Sequence, residues 1–290
     1  MSLNLGISRT KSTTDPKATR NVSGPPAQDS GWRETARIVV HALLIAFVVR
    51  IFFYQPFNIP SGSMKSTLLV GDFLFVSKLS YGYSTYTFPQ TLDIPLIHIS
   101  IPLRPKKLFS GRILATDPKR GDVAVFKLPR DNSTDFIKRV IGLPGDEIQM
   151  KHGVLFINGQ EIPKRKIADF VAVEEDGNVH SSPRFEETLP NGVKYTVLDT
   201  IDEGRADNTD VFNVPPNHYF MMGDNRDNST DSRISPMNGG VGYVPFENFV
   251  GRADLIFFSA AIDEPDNCRP FAPWTWPGCV RFRRILSVVR

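Results

Sequence analysis

Ser61 and Ser63 flank a single glycine in the stretch "IPSGSMKSTLLVGD", residues 59–72. A serine hydroxyl is a weak nucleophile until a neighbouring group takes its proton, so the question is which base the chain offers. Its five histidines are scattered, and His218 leaves a Ser-His-Asp arrangement open. Lys138, in "DFIKRVIG" (residues 135–142), is a different kind of base. Strand alternation sets Phe136, Lys138 and Val140 on one face and Ile137, Arg139 and Ile141 on the other. A lysine among large apolar neighbours loses hydration, which lowers its pKa from the usual ~10.4 and frees a neutral amine to accept a proton. The plain alternative is a lysine that reaches solvent or pairs with Asp135. A third element, "MMGDNRDNSTDSR" (residues 221–233), sets Asp224, Asp227 and Asp231 beside Arg226 and Arg233. Such a loop fixes its own shape through ion pairs, and it can also orient a catalytic group.

Several other chemistries fail on spacing. Met64 precedes Lys65 where a phosphate loop needs glycine. Ser63 has no Gly-x-Ser-x-Gly elbow around it. "DNRDNSTDSR" lacks the central glycine and closing glutamate of a calcium loop. Cys268 and Cys279 lack the paired spacing and the nearby histidines of a zinc site. They fit a short disulfide loop if they face an oxidising compartment. No metal or cofactor is expected. The net charge of +3, without a basic stripe interleaved with aromatics, sets nucleic acid aside as a partner.

These groups need elements to position them. Residues 1–34 are polar and aperiodic, the composition of a disordered tail. Residues 35–54, "TARIVVHALLIAFVVRIFFY", form the most apolar run and include His41 and Arg50. As a helix the run would span about 30 Å, one bilayer core, with Arg50 and Tyr54 near an interface. Lys11, Lys17, Arg20 and Arg33 precede it and Arg37 lies in its first turn, so the N-terminus is expected in the cytoplasm and residues 55–290 outside. Beyond the anchor the pattern is mainly β. "DVAVFKL" (residues 122–128) and "DFIKRVIG" read as strands, and Asn158-Gly159 reads as a tight hairpin. "LDIPLIHISIPL" (residues 92–103) is too short and too proline-broken to span a membrane, so it reads as extended or interfacial structure. Residues 163–215 are more charged and less patterned, and read as an accessory insertion. Phe271, Trp274 and Trp276 near Arg281, Arg283 and Arg284 suit either a lipid interface or a tail packed on the domain.

Taken together and in this order, the boxes resemble bacterial type I signal peptidases, membrane-anchored Ser-Lys proteases. "PSGSM" with "TLLVGDFLFVSK" resembles the nucleophile box of that family, "GDVAVFKLP" and "DFIKRVIGLPGDEI" the next two, and "GDNRDNSTDSR" the last. The resemblance implies Ser63 as nucleophile and Lys138 as general base. It implies an oxyanion hole from Ser61 and the backbone N–H of Ser63, with Ser229 orienting the lysine. Asp231 and Arg233 match a structural ion pair, supported by Asp224 and Arg226. Ile59, Met64, Leu68, Asp135, Phe136 and Ile137 match the wall of a substrate groove with small P1 and P3 pockets. The implied fold is a mainly β catalytic domain behind one transmembrane helix. The implied partners are the signal peptides of exported preproteins and the lipid bilayer, at the outer face of the plasma membrane. Ser66 and Phe136 stand where the family commonly has proline and often tyrosine. The alternative readings are a Ser-Lys peptidase maturing one pilin-like substrate and an inactive membrane-tethered binding module. The presence of both Ser63 and Lys138 argues against the second.

Overall fold

The computed structural model describes residues 31–88, 91–94, 99–102, 110–173, 179–262 and 276–290. The apolar run forms one helix, Gly31–Phe52, of 22 residues with a mean hydropathy of 2.0 in its most apolar window, long and apolar enough to cross a membrane. It starts before Thr35, with Glu34 in the first turn and Arg50 in the last, charges that complement the helix dipole. It stops before Tyr54, which already belongs to a strand. The helix's last carbonyls are taken up by the chain that follows: Lys78 Nζ donates to Ile51 O (3.1 Å) and Tyr83 Oη to Phe52 O (2.5 Å).

Among the described residues beyond the helix, the largest of five sheets is antiparallel and positions the site. Its strands run in the spatial order Tyr54–Asn58, Asp72–Ser77, Phe249–Ser259, Val123–Lys127, Asp135–Gly142, His218–Met222 and Val244–Pro245, with Ser287–Val288 also pairing to Phe249–Ser259. Register shifts at Phe249/Gly251, Ala253/Leu255 and Ile256/Phe258 mark bulges that bend the long strand. The strand expected at residues 135–142 has those bounds, and the one expected at 122–128 is Val123–Lys127. Asn158 and Gly159 turn a hairpin with φ of 53° and 75°, the left-handed pair that a tight hairpin needs. Within residues 92–103, the described parts pair as two short strands, Thr91–Ile94 and Ile99–Pro102.

Two apolar clusters fill the faces of this sheet. Ile59, Met64, Leu68, Leu74, Val76 and Val125 pack beneath the nucleophile stretch, and Phe126, Val140, Tyr219, Met221 and Phe249 pack on the other side. The charged segment at 163–215 forms a three-stranded sheet (Lys164–Lys166, Arg184–Thr188, Lys194–Leu198) and a hairpin (Phe170–Val173 with Val179–Ser182). Leu189, Tyr195 and Val197 from this segment share a third core with Phe220 of the main sheet, so the segment packs against that sheet. Its charge has a structural use: buried Glu187 accepts both terminal nitrogens of buried Arg226, at 2.8 and 2.6 Å. The C-terminal segment also packs on the domain. Arg281 donates to Val70 O (2.8 Å), and Arg284 pairs with Asp72 at 2.5 Å. Phe271 and Trp274 lie outside the described residues.

Removing one partner of a buried ion pair leaves the other charge uncompensated, at a cost of about 3–5 kcal/mol. Glu187→Ala is therefore expected to lower the thermal midpoint of the full chain in detergent sharply. An unchanged midpoint would contradict the burial of this pair.

Candidate active site

Ser63 lies in a short 3-10 turn, Gly62–Met64, which leaves an extended Ser61. The turn is held from the loop 223–233. Asn225 donates through its backbone N to Ser63 O (3.1 Å) and through Nδ2 to Gly62 O (3.1 Å). Gly223 makes this approach possible, because a Cβ there would come within 2.5 Å of Ser63 O and 2.2 Å of Ser229 Oγ. Gly62 is different: a Cβ there would meet Asn228 Nδ2 at 3.6 Å and Lys65 Cδ at 3.9 Å, both ordinary contacts. What a side chain would fill at Gly62 is the cleft that this residue lines.

Lys138 reaches the turn from the middle of its strand. Its Nζ lies 2.5 Å from Ser63 Oγ and 3.1 Å from Ile137 O. Only 3% of the residue is exposed. Burial pulls the Lys138 ammonium down to a pKa of about 8, against the upward pull of Asp231 and Asp224 and with a further push down from Arg233. The plain alternative of an Asp135 partner does not hold, since Asp135 pairs with Lys127 at 2.9 Å. The Phe136 ring centroid lies 5.6 Å from Nζ, so an aromatic face adjoins the amine. His218 bonds Pro216 O and does not line the cleft, which leaves the histidine arrangement without support.

Two buried ion pairs back this site. Arg139, on the opposite face from Lys138, is fully buried and grips Asp224 through Nε (2.8 Å) and Nη2 (2.6 Å). Thr67 Oγ1 donates to the same carboxylate (2.5 Å), which links the chain just after the nucleophile to that pair. Arg233 holds Asp231 through Nε and Nη2, both at 2.9 Å. Burial pushes the Asp231 carboxyl up, but Arg233 and the hydrogen bond from Gly223 N outweigh it, so Asp231 stays below the usual carboxylate range. Ser229 Oγ is buried near Asp231 without a hydrogen bond of good geometry, and it makes none to Lys138.

Ser61 Oγ lies 3.4 Å from Ser63 Oγ. Both serines open onto a cleft of about 710 Å³ that Lys138, Ile59, Asp135, Phe136, Ile137 and Ser229 also line. Met64 and Leu68 do not reach its surface. They are fully buried in the apolar cluster below, where they support the turn. Ser66 has φ of 107°, and its Oγ pairs with Thr196 of the insertion at 2.5 Å. Proline, with φ held at about −65°, cannot adopt that backbone, so this turn differs from one built on proline. Asp199, Asp207 and Asp227 bring carboxylate oxygens within 4.8 Å of one another. Each is already engaged, by Lys164, by Gly204 N, and by Thr200 N with Ile201 N respectively. Cys279 is buried and disulfide-bonded, and Cys268 lies outside the described residues.

The residues that sequence reasoning missed are Arg139, Gly223, Asn225 and Thr67. Their signal was partial: Arg139 adjoins the lysine, and Gly223 and Asn225 sit inside the quoted polar box.

The geometry sets a buried amine against a serine hydroxyl on a bent β sheet, at the edge of an open cleft. The comparisons with known proteins narrow this. The model of the family "Signal peptidase, peptidase S26" matches residues 32–258. Signal peptidase I of Rickettsia canadensis is 42% identical over 253 residues, 85% of each chain. Signal peptidase I of Rickettsia typhi is 43% identical over 231 residues, 78% of this chain and 80% of its own. A crystal structure of a signal peptidase I from Enterococcus faecalis aligns over 47% of this chain and 97% of its own, with 26% identity and a TM-score of 0.27. The chain belongs to the signal peptidase (peptidase S26) family.

The burial of Lys138 has a testable sign. Its folded pKa of about 8 lies below the unfolded ~10.4, so between those values the unfolded chain binds more protons and stability rises with pH. Lys138→Met removes that dependence. The variant is expected to melt above the wild type at pH 7, with the gap closing as pH rises from about 8 toward about 10.4. A gap that is constant over that range would contradict the burial of the amine.

Proposed function

We propose that the chain is an endopeptidase that removes signal peptides from exported preproteins, with Ser63 as nucleophile and Lys138 as general base. The observation that carries this reading is the 2.5 Å contact between Ser63 Oγ and a buried Lys138 Nζ at the floor of an open cleft. Family membership supports the substrate class. The cleft walls support an extended substrate. Among the described residues no strand pairs with the second edge of Tyr54–Asn58, or with that edge of residues 135–138. A peptide lying between them gains main-chain hydrogen bonds from exposed strand edges, with alternate side chains pointing into pockets. Ile59, Phe136 and Ile137 make the neighbourhood of the nucleophile apolar, which fits small apolar residues at P1 and P3.

In the reaction, neutral Lys138 takes the proton of Ser63 as Oγ attacks the scissile carbonyl. The tetrahedral oxyanion is held by the Ser61 hydroxyl and the Ser63 N–H, and such donors contribute about 3 kcal/mol each. The intermediate collapses as Lys138 passes its proton to the leaving amine, which departs as the N-terminus of the mature chain. Lys138, neutral again, takes a proton from water as that water attacks the acyl-serine, and returns it to Ser63. The Asp231–Arg233 and Asp224–Arg139 pairs hold the turn and the lysine in place. The helix Gly31–Phe52 serves as the membrane anchor. The basic residues before it put the N-terminus in the cytoplasm and the cleft on the outer face, where a preprotein emerges.

The test is cleavage of a purified preprotein in detergent by the wild type, Ser63→Ala and Lys138→Ala. Each variant is expected to lose activity by about a thousandfold or more while still folding. Wild-type kcat/KM is expected to fall on the acid side with an apparent pKa near about 8. Retained cleavage by a folded Ser63→Ala would overturn the assignment.

A further inference from the structure

The insertion also reaches the cleft, and it brings a cation. Arg205 and Ala206 line the same cleft as Ser63 and Lys138. The loop that carries them hangs on the polar box itself. Asp227 accepts from Thr200 N (2.7 Å) and Ile201 N (3.0 Å), and Gly204 packs so close that a Cβ there would lie 2.7 Å from Asp227 Oδ1. Asp207 closes the loop from below, accepting from Gly204 N at 2.7 Å, while Gly153 N donates to Asp207 O at 3.1 Å. Arg205 follows this fixed glycine with its side chain exposed, and no acid among the described residues pairs with it. Asp202, on the same loop, is exposed and makes no ion pair with Arg205, and three further acids nearby are occupied. Asp227 caps two amides, Asp199 pairs with Lys164, and Glu203 pairs with His152.

Position within the cleft gives this cation a role. The stretch formed by Phe57, Ile59, Phe136 and Ile137 is apolar and offers strand edges, which suits the residues before the scissile bond. Asn228, next to Asp227, borders the turn at Gly62, with Nδ2 3.6 Å from where a Cβ would sit. On the reading of the cleft proposed above, that shoulder is the exit left for the chain that follows the scissile bond. Resting on the reading of the cleft proposed above, we infer that Arg205 is a specificity-determining residue for the first residues of the mature chain and favours a carboxylate side chain there. A cation on a cleft wall steers and orients an oppositely charged segment without touching the reacting atoms.

The experiment uses the full-length protein in detergent and three versions of one preprotein. They carry aspartate, glutamine or lysine at a single position just after the cleavage site. Wild type, Arg205→Gln and Arg205→Glu are compared by kcat/KM at low and high salt. An exposed ion pair corresponds to about a two- to fivefold effect, so the wild type is expected to prefer aspartate over lysine by roughly that factor at low salt. The preference should vanish in Arg205→Gln, reverse in Arg205→Glu, and shrink at high salt in every case. The glutamine preprotein is the internal reference for each enzyme, against which its aspartate and lysine rates are read. An aspartate-to-lysine ratio that is the same in all three enzymes, with the glutamine version still cut, overturns the inference and leaves the Ser-Lys reading intact. Failure of the wild type to cut any version overturns both.

Discussion

The site depends on keeping one amine out of water. An ammonium prefers solvent by many kilocalories, and a strand lysine usually reaches it. Here Lys138 is held in the interior with Ser63 Oγ at 2.5 Å, and burial brings its pKa to about 8. The same desolvation that costs stability makes the amine easier to deprotonate, as the proposed general base requires. The other features of the site can be read as means of holding that arrangement against its tendency to relax.

Most of the restraint comes from charge buried in pairs. Arg139 with Asp224, Arg226 with Glu187 and Arg233 with Asp231 are all nearly inaccessible, and each pair is bidentate. Pairs of this kind contribute little net stability, but they tolerate few alternative geometries, because any shift leaves a charge unpaired. Two of them join three parts of the chain, and the third braces the polar loop within itself. The lysine strand meets the polar loop through Arg139 and Asp224, and the loop meets the insertion through Arg226 and Glu187. Thr67 and Ser66 tie the nucleophile stretch to Asp224 and Thr196. Arg284 on Asp72 secures the end of that stretch from the C-terminal segment.

Much of this was legible in the sequence, for local reasons. The apolar run, the alternation in "DFIKRVIG" and the Asn-Gly pair are short-range signals, and each produced the expected element close to its expected bounds. The order of the polar boxes pointed to the serine and the lysine that the structure brings together. What escaped was long-range or conformational. Nothing local pairs Arg139 with Asp224, 85 residues apart in sequence, or marks Glu187 as the buried partner of Arg226. The need for glycine at 223 arises from Ser63 O crossing close by, which only the folded chain shows. Met64 and Leu68 were expected on the groove wall and lie below it, since period and resemblance do not separate a wall from its footing. Ser229, expected to hold the lysine, makes no such bond in this arrangement.

The most direct measurement is the titration of Lys138 itself, by NMR of the full-length protein in detergent with isotope-labelled lysine side chains, assigned against Lys138→Met. One lysine resonance is expected to titrate at about 8 and to be absent in that variant. A Lys138 resonance titrating at the ordinary ~10.4 would mean that the amine is solvated and charged at neutral pH, and would contradict the account.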